Sequence, residues 1–153
     1  MNALELLVGN HQERVPVPES WLTLLESAGL AAAGRVLADH VVCEHAPLSE
    51  LGWVEVALVD DETSDRVHRE FMNLEGETDV ITFHHGEIVI GVEVALRQAE
   101  ENAEPPLREI FRYLVHGLLH LAGHEDEKDD DRARMESAQE DLVAELWPRF
   151  SGA

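Results

Sequence analysis

The stretch His116-Gly117-Leu118-Leu119-His120-Leu121-Ala122-Gly123-His124-Glu125-Asp126 sets two imidazoles four residues apart. On a helix that spacing puts them on one face, one turn apart, where both reach a single metal ion. Gly123 suits the end of such a helix, because a positive φ there turns the chain back and brings a third ligand from outside it. His124 and Asp126 both qualify as that ligand, and Glu125 is a weaker claimant. Nitrogen and carboxylate donors suit zinc, and three protein ligands leave a fourth position for a water that loses a proton near neutral pH. The expected chemistry is therefore metal-assisted hydrolysis with one Zn2+. The widespread helical zinc motif carries a general-base Glu directly after its first His, whereas Gly117 stands there in this chain. A small residue at that place either lets the helix pack closely or leaves room for a substrate.

Upstream, Pro105-Pro106 predicts the start of the metal-bearing helix, with Leu107, Ile110, Phe111 and Leu114 toward the core. Val92 to Glu101 has helical composition. Thr78 to Phe83 and Glu87 to Ile90 read as adjacent β-branched strands joined by His84-His85-Gly86, and Gly91 ends the second. Before them, Gly52 to Val59 predicts a strand running into the acidic turn Asp60-Asp61. A helix over Thr63 to Met72 then places Val67 and Phe71 on one face, until Gly76 resets the chain. Leu4 to Val8 reads as a first strand, and Ser20 as the cap of a helix carrying Trp21, Leu24, Leu25 and Ala28, interrupted at Gly29. After the cluster, a last helix uses Ala133, Ser137, Leu142, Leu146 and Trp147 for packing, and Pro148 helps to stop it. Acidic runs such as Asp60-Asp61 and Glu125 to Asp131 fit hydrated turns and helix starts.

The chain has 153 residues, 44% hydrophobic, and a formal charge of −21 from 32 Asp and Glu against 11 Lys and Arg. That length buries a sizeable core, and neither Pro-containing segment is long enough to divide it, so one continuous domain over residues 1–153 is expected. A single thiol, Cys43, forms no internal disulfide and fits a reducing cytoplasm. Neither a signal peptide nor a membrane span is expected, since charges break every long apolar stretch. Lys128 is the lone lysine and no basic run exists, so composition argues against general polyanion binding. A bound cation would change the field within its own cleft.

Residues 116–123 match completely the first part of H-G-x-L-H-L-x-G-Y-D-H, and on these residues the chain resembles the YbeY family of rRNA-maturation endoribonucleases. Thr78-Asp79-Val80-Ile81-Thr82-Phe83 is similar to that family's T-D-V-L-S-F, and Gly86 to Ile90 to its G-D-I-V-I. With Val59 to Glu62 and Met135-Glu136, the resemblance spans residues 50–140. It implies an α/β (α+β) fold in which a small mixed β-sheet packs against several helices, with the metal site at a central helix end. It also implies zinc-dependent cleavage of single-stranded RNA in rRNA maturation, in the cytoplasm and away from membranes. The implied partners are rRNA or ribosomal particles, with a ribosomal protein or a GTPase as candidate protein partner. His116 and His120 inherit two ligand roles, and the family's third histidine falls at Asp126. The chain departs at His124 and Glu125, where the signature has Tyr and Asp, and at Met72, where the family has arginine.

An arginine beside the metal would hold phosphate through paired hydrogen bonds, which methionine cannot. Arg69, one helical turn earlier, is the candidate replacement, while Arg97 and Arg112 read as solvated. His84 and His85 follow a strand and are candidates to bind phosphate or move a proton. Asp79 is a weaker candidate whose ordinary role is to brace the loop before the strand. Two other readings stay open: a peptide hydrolase with a distant base, and a ribosome-associated or protein-binding domain that keeps zinc for structure and has no nuclease activity.

Overall fold

The computed structural model describes residues 4–72 and 80–152. Strand β1 (Glu5–Asn10) leads into α1 (Glu19–Asp39), the short α2 (Pro47–Glu50), β2 (Trp53–Val59) and α3 (Asp61–Val67), which continues as a π-helical turn over His68–Met72. Then come β3 (Val80–Phe83), β4 (Glu87–Gly91), α4 (Val92–Glu101), α5 (Pro106–Leu121) and α6 (Asp129–Ser151). The strands form one sheet in the order β1-β2-β4-β3. Parallel pairing joins β1 to β2 and β2 to β4, and β3 folds back antiparallel on β4. This is the mixed sheet packed against helices that the sequence led us to expect.

Period-two alternation sends Val54, Val56 and Leu58 of β2 and Ile88 and Ile90 of β4 into the main core. There α5 is the central helix, burying Ile110, Phe111, Leu114, Leu118 and Leu121. Phe111 meets Trp147 of α6 with ring centroids 6.3 Å apart, so Trp147 packs as the sequence suggested. Full burial of a side chain of this kind contributes roughly 1.5–3 kcal/mol. On the other face a smaller cluster of Val59, Ile81 and Val89 is covered by Val67 of α3.

Several local expectations change. Gly29 does not interrupt α1; it is buried mid-helix, where a Cβ would stand 2.8 Å from Leu114 Cδ2 and 3.2 Å from Leu6 Cδ1. Close approach to α5 and β1 offsets the helix-propensity cost of glycine, about 1 kcal/mol. Pro18, not Ser20, is the N-cap of α1. The helix expected from Thr63 starts at Asp61, because Asp60 Oδ1 accepts the Thr63 N–H at 2.8 Å and caps it. It passes into the π-helical turn after Val67. Ala133 and Ser137 are exposed, and the packed face of α6 is Met135, Ala138, Leu142, Val143, Leu146 and Trp147. Pro148 lies inside α6 and does not stop it; the left-handed Gly152, φ 76°, is the C-cap. Expectations for Gly76 and Asp79, and for the side chains of Phe71 and Met72, lie outside the described residues.

Candidate metal centre

Helix α5 ends with His116 and His120 on one face, and Gly123 turns the chain with φ 100°. A Cβ at Gly123 would lie 2.5 Å from Cys43 Sγ, so both backbone conformation and packing demand glycine there. The reversal carries Asp126 back over the helix end. Its Oδ2 is 3.6 Å from His116 Nε2 and 3.5 Å from His120 Nε2, and the two Nε2 atoms are 3.1 Å apart. These three atoms approach the edge lengths of a tetrahedron whose bonds are about 2.0–2.1 Å, the zinc–nitrogen length.

Proton bookkeeping supports a cation at their centre. His120 Nδ1 lies 3.0 Å from the carbonyl oxygen of His124, which can only accept, so Nδ1 carries the proton. His116 Nδ1 lies 2.8 Å from Gln139 Oε1. The Gln139 amide is oriented by its own Nε2 donating to Glu140 at 3.0 Å, so it too accepts from histidine. In the neutral rings both Nε2 atoms then present lone pairs to each other and to a carboxylate. Burial first, and His120 second, push the His116 imidazole below the ordinary histidine value, which favours that neutral form. Two lone pairs and an anion converging on one point fit a bound metal.

Of the two open choices for third ligand, His124 turns away. Its ring is buried, and Nε2 donates to the His40 carbonyl at 2.8 Å, tying the turn to the end of α1. Burial lowers its pKa. Among the described residues, the group able to hold a metal is His116, His120 and Asp126, with ligand atoms all within 4.8 Å of one another.

Gly117 answers a different question. A Cβ there would stand 2.8 Å from Ile88 Cγ2, so this position faces β4 and not the metal. The residue type used as base in the common helical motif would be driven into the core. Gly117→Ala should cost about 1–3 kcal/mol through overpacking. A denaturant melt is expected to show a lower midpoint with an unchanged slope.

The cluster opens into a cavity of about 520 Å³ whose wall includes Val80, Thr82, His84 and Cys43. His84 thus lines the same cavity as the cluster. His85 does not: it stacks on Phe83 at 5.4 Å and lies 3.7 Å from Glu87. Arg69 is exposed, pairs with Asp65 one turn back, and lines a separate depression with Glu62 and Arg66. Arg97 pairs with Asp61. Arg112 is no solvated surface residue; it bonds Glu104, Glu109 and Glu140 with its side chain 14% exposed. Gln139 and Thr82 were missed by sequence reasoning. Only the helical phase of α6 against α5 pointed to the first, and strand alternation to the second.

A profile of the family described as endoribonuclease YbeY matches residues 31–147. The endoribonuclease YbeY of Rhodopirellula baltica is 34% identical over 140 residues, covering 84% of this chain and 69% of that protein. That of Symbiobacterium thermophilum is 31% identical over 163 residues, covering 94% of this chain and 97% of that protein. A Thermotoga maritima protein solved in solution shares the fold, with TM-score 0.62 and 22% identity over 97% of this chain and 92% of its own. The profile match takes in all of α5, the turn after it and most of α6, and hence every residue of the metal cluster: the chain belongs to the endoribonuclease YbeY family.

Proposed function

We propose that the chain is a single-domain endoribonuclease that cleaves single-stranded RNA in rRNA maturation, with one zinc ion held by Nε2 of His116, Nε2 of His120 and Oδ2 of Asp126. The observation that carries this reading is the convergence of those atoms within 4.8 Å at the wall of an open cavity. Three ligands, with the Asp126 side chain 43% exposed, suit a catalytic metal better than a four-ligand structural one. When bound, zinc lowers the pKa of a coordinated water and polarises a phosphoryl oxygen.

The protein's own groups supply orientation and proton handling. Gln139 and the His124 carbonyl hold the two imidazoles in the tautomer that leaves Nε2 free. His84, in the turn after β3, is the cavity-lining imidazole placed to hand a proton to the leaving oxygen. Among the described residues no helix is long and apolar enough to cross a membrane. With rRNA as the proposed target, a ribosomal protein or a GTPase is the partner class we propose.

His84→Ala should lower kcat about 10²- to 10⁴-fold while zinc stoichiometry stays at about one per chain. Single-turnover cleavage of a labelled RNA, run beside metal analysis, checks it. Wild-type cleavage rates in the variant would remove His84 from the mechanism.

A further inference from the structure

Apart from the zinc it would hold, the cavity does little to attract RNA phosphates. Glu125, Asp126 and Glu127 line the wall, and among the described residues no lysine or arginine does. The chain's net charge of −21 adds no general attraction for RNA, which leaves a need for neutral donors beside the metal. Strand β3 supplies such donors. It is the edge of the sheet, bordered only by β4 among the described residues.

Among the described residues, pairing fixes which of its backbone groups are left free. The Glu55 N–H donates to the Gly86 carbonyl at 2.8 Å, which turns the even-numbered backbone groups at this end of β4 toward β2. The odd-numbered Glu87 and Val89 therefore face β3, opposite Phe83 and Ile81. By alternation, the N–H and C=O groups of Val80 and Thr82 point away from the sheet. The two amides recur every second residue, about 6.8 Å apart along the strand. Both residues line the metal cavity, and Thr82 Oγ1 is buried there without a hydrogen-bond partner.

We propose that the free edge of β3 is the substrate track: a single RNA strand lies along it, and the outward N–H groups of Thr82 and Val80 donate to its phosphate oxygens. The track runs on from the cavity, so a strand held there passes the metal cluster and reaches His84. Uncharged donors fix phosphate without a basic surface, which gives an acidic chain affinity for RNA only along this edge. The inference rests on the endoribonuclease reading and names how the same site holds its substrate.

Two measurements test it. In amide NMR of the zinc-loaded chain, a 2′-O-methyl single-stranded RNA that resists cleavage should shift the Thr82 and Val80 amide protons downfield and slow their exchange. The Ile81 amide, already bonded to β4, serves as the control. Thr82→Pro removes the outward N–H and no ladder bond, a substitution edge strands accept. It should reduce kcat/KM about 10- to 100-fold, the worth of a hydrogen bond to a charged acceptor, chiefly through KM and with zinc binding unchanged. Thr82→Ala keeps the N–H and should lose less than the proline variant; an equal loss in both would overturn the role assigned to the amide. Thr82 and Val80 amides that ignore the RNA, or that respond to an extended peptide and not to RNA, would overturn the proposal whether or not the proline variant folds. If wild-type protein fails to cleave unmodified RNA, the endoribonuclease reading falls; if it cleaves and these amides are silent, only the track falls.

Discussion

His120→Ala should abolish zinc-dependent cleavage and weaken zinc binding by more than about 100-fold, beyond the 10- to 100-fold cost of losing an outer hydrogen-bond partner of a ligand. It should do so without unfolding the protein. His120 Nε2 lies 3.1 Å from His116 Nε2 and 3.5 Å from Asp126 Oδ2, a crowding of ligand atoms that serves a cation and adds little to the fold without one. Its removal relieves that crowding, so the metal-free variant should melt at or above the temperature of metal-free wild type. Zinc should separate them: at 100 times its dissociation constant, a ligand bound only by the folded state adds about 2.7 kcal/mol. Wild type should gain this and the variant should not. Paired melts with chelator and with zinc, beside competition with a chromophoric chelator, read both effects. A variant destabilised equally in both conditions would make His120 a packing residue.

Arg112→Ala should be the most destabilising single change outside the apolar core, at about 3–5 kcal/mol, the cost of breaking a buried ion pair by removing one partner. Its guanidinium ties Glu104 before α5, Glu109 on α5 and Glu140 on α6. The Glu109 side chain is 6% exposed and would be left buried without its cation. Although burial opposes it, the three carboxylates hold the Arg112 pKa well above the ordinary arginine value. In return, the hydrogen bond from Arg112 keeps Glu104 below its usual 4.5, against some desolvation. A carboxylate depressed in the folded state contributes stability that is complete above its unfolded pKa and is lost as pH falls through the folded one. The penalty of Arg112→Ala should therefore be full at neutral pH and shrink in acid. Denaturant melts from pH 7 to pH 3 measure it. The same change frees Glu140, which orients Gln139 against His116, so zinc affinity should fall as well.

Local pattern carried most of the fold. Val92 to Glu101 is helical over the stretch expected, and the β3–β4 hairpin turns at His84-His85-Gly86, because strand alternation and turn composition act within a few residues. Gly29 and Pro148 each disfavour a helix locally. Gly29 sits where close packing against Leu114 outweighs the local cost, whereas Pro148 is exposed in the last turns of the long α6, which carries on past it to Gly152. At the site, His116 and His120 were legible because one helix holds both. The choice between His124 and Asp126 depended on the His40 carbonyl, 84 residues away in sequence, which captures the His124 ring. No spacing rule reaches that far. Arg69 was drawn in to fill the place that Met72 leaves, and its exposed pair with Asp65 keeps it on the surface of its own helical turn.

The most direct test of the account is cleavage of a single-stranded RNA by wild-type protein with its metal content measured in the same sample. One zinc per chain, cleavage lost on chelation and regained on adding zinc to wild type but not to His120→Ala, is the predicted result. Cleavage that survives chelation, or that His120→Ala retains in full, would contradict it.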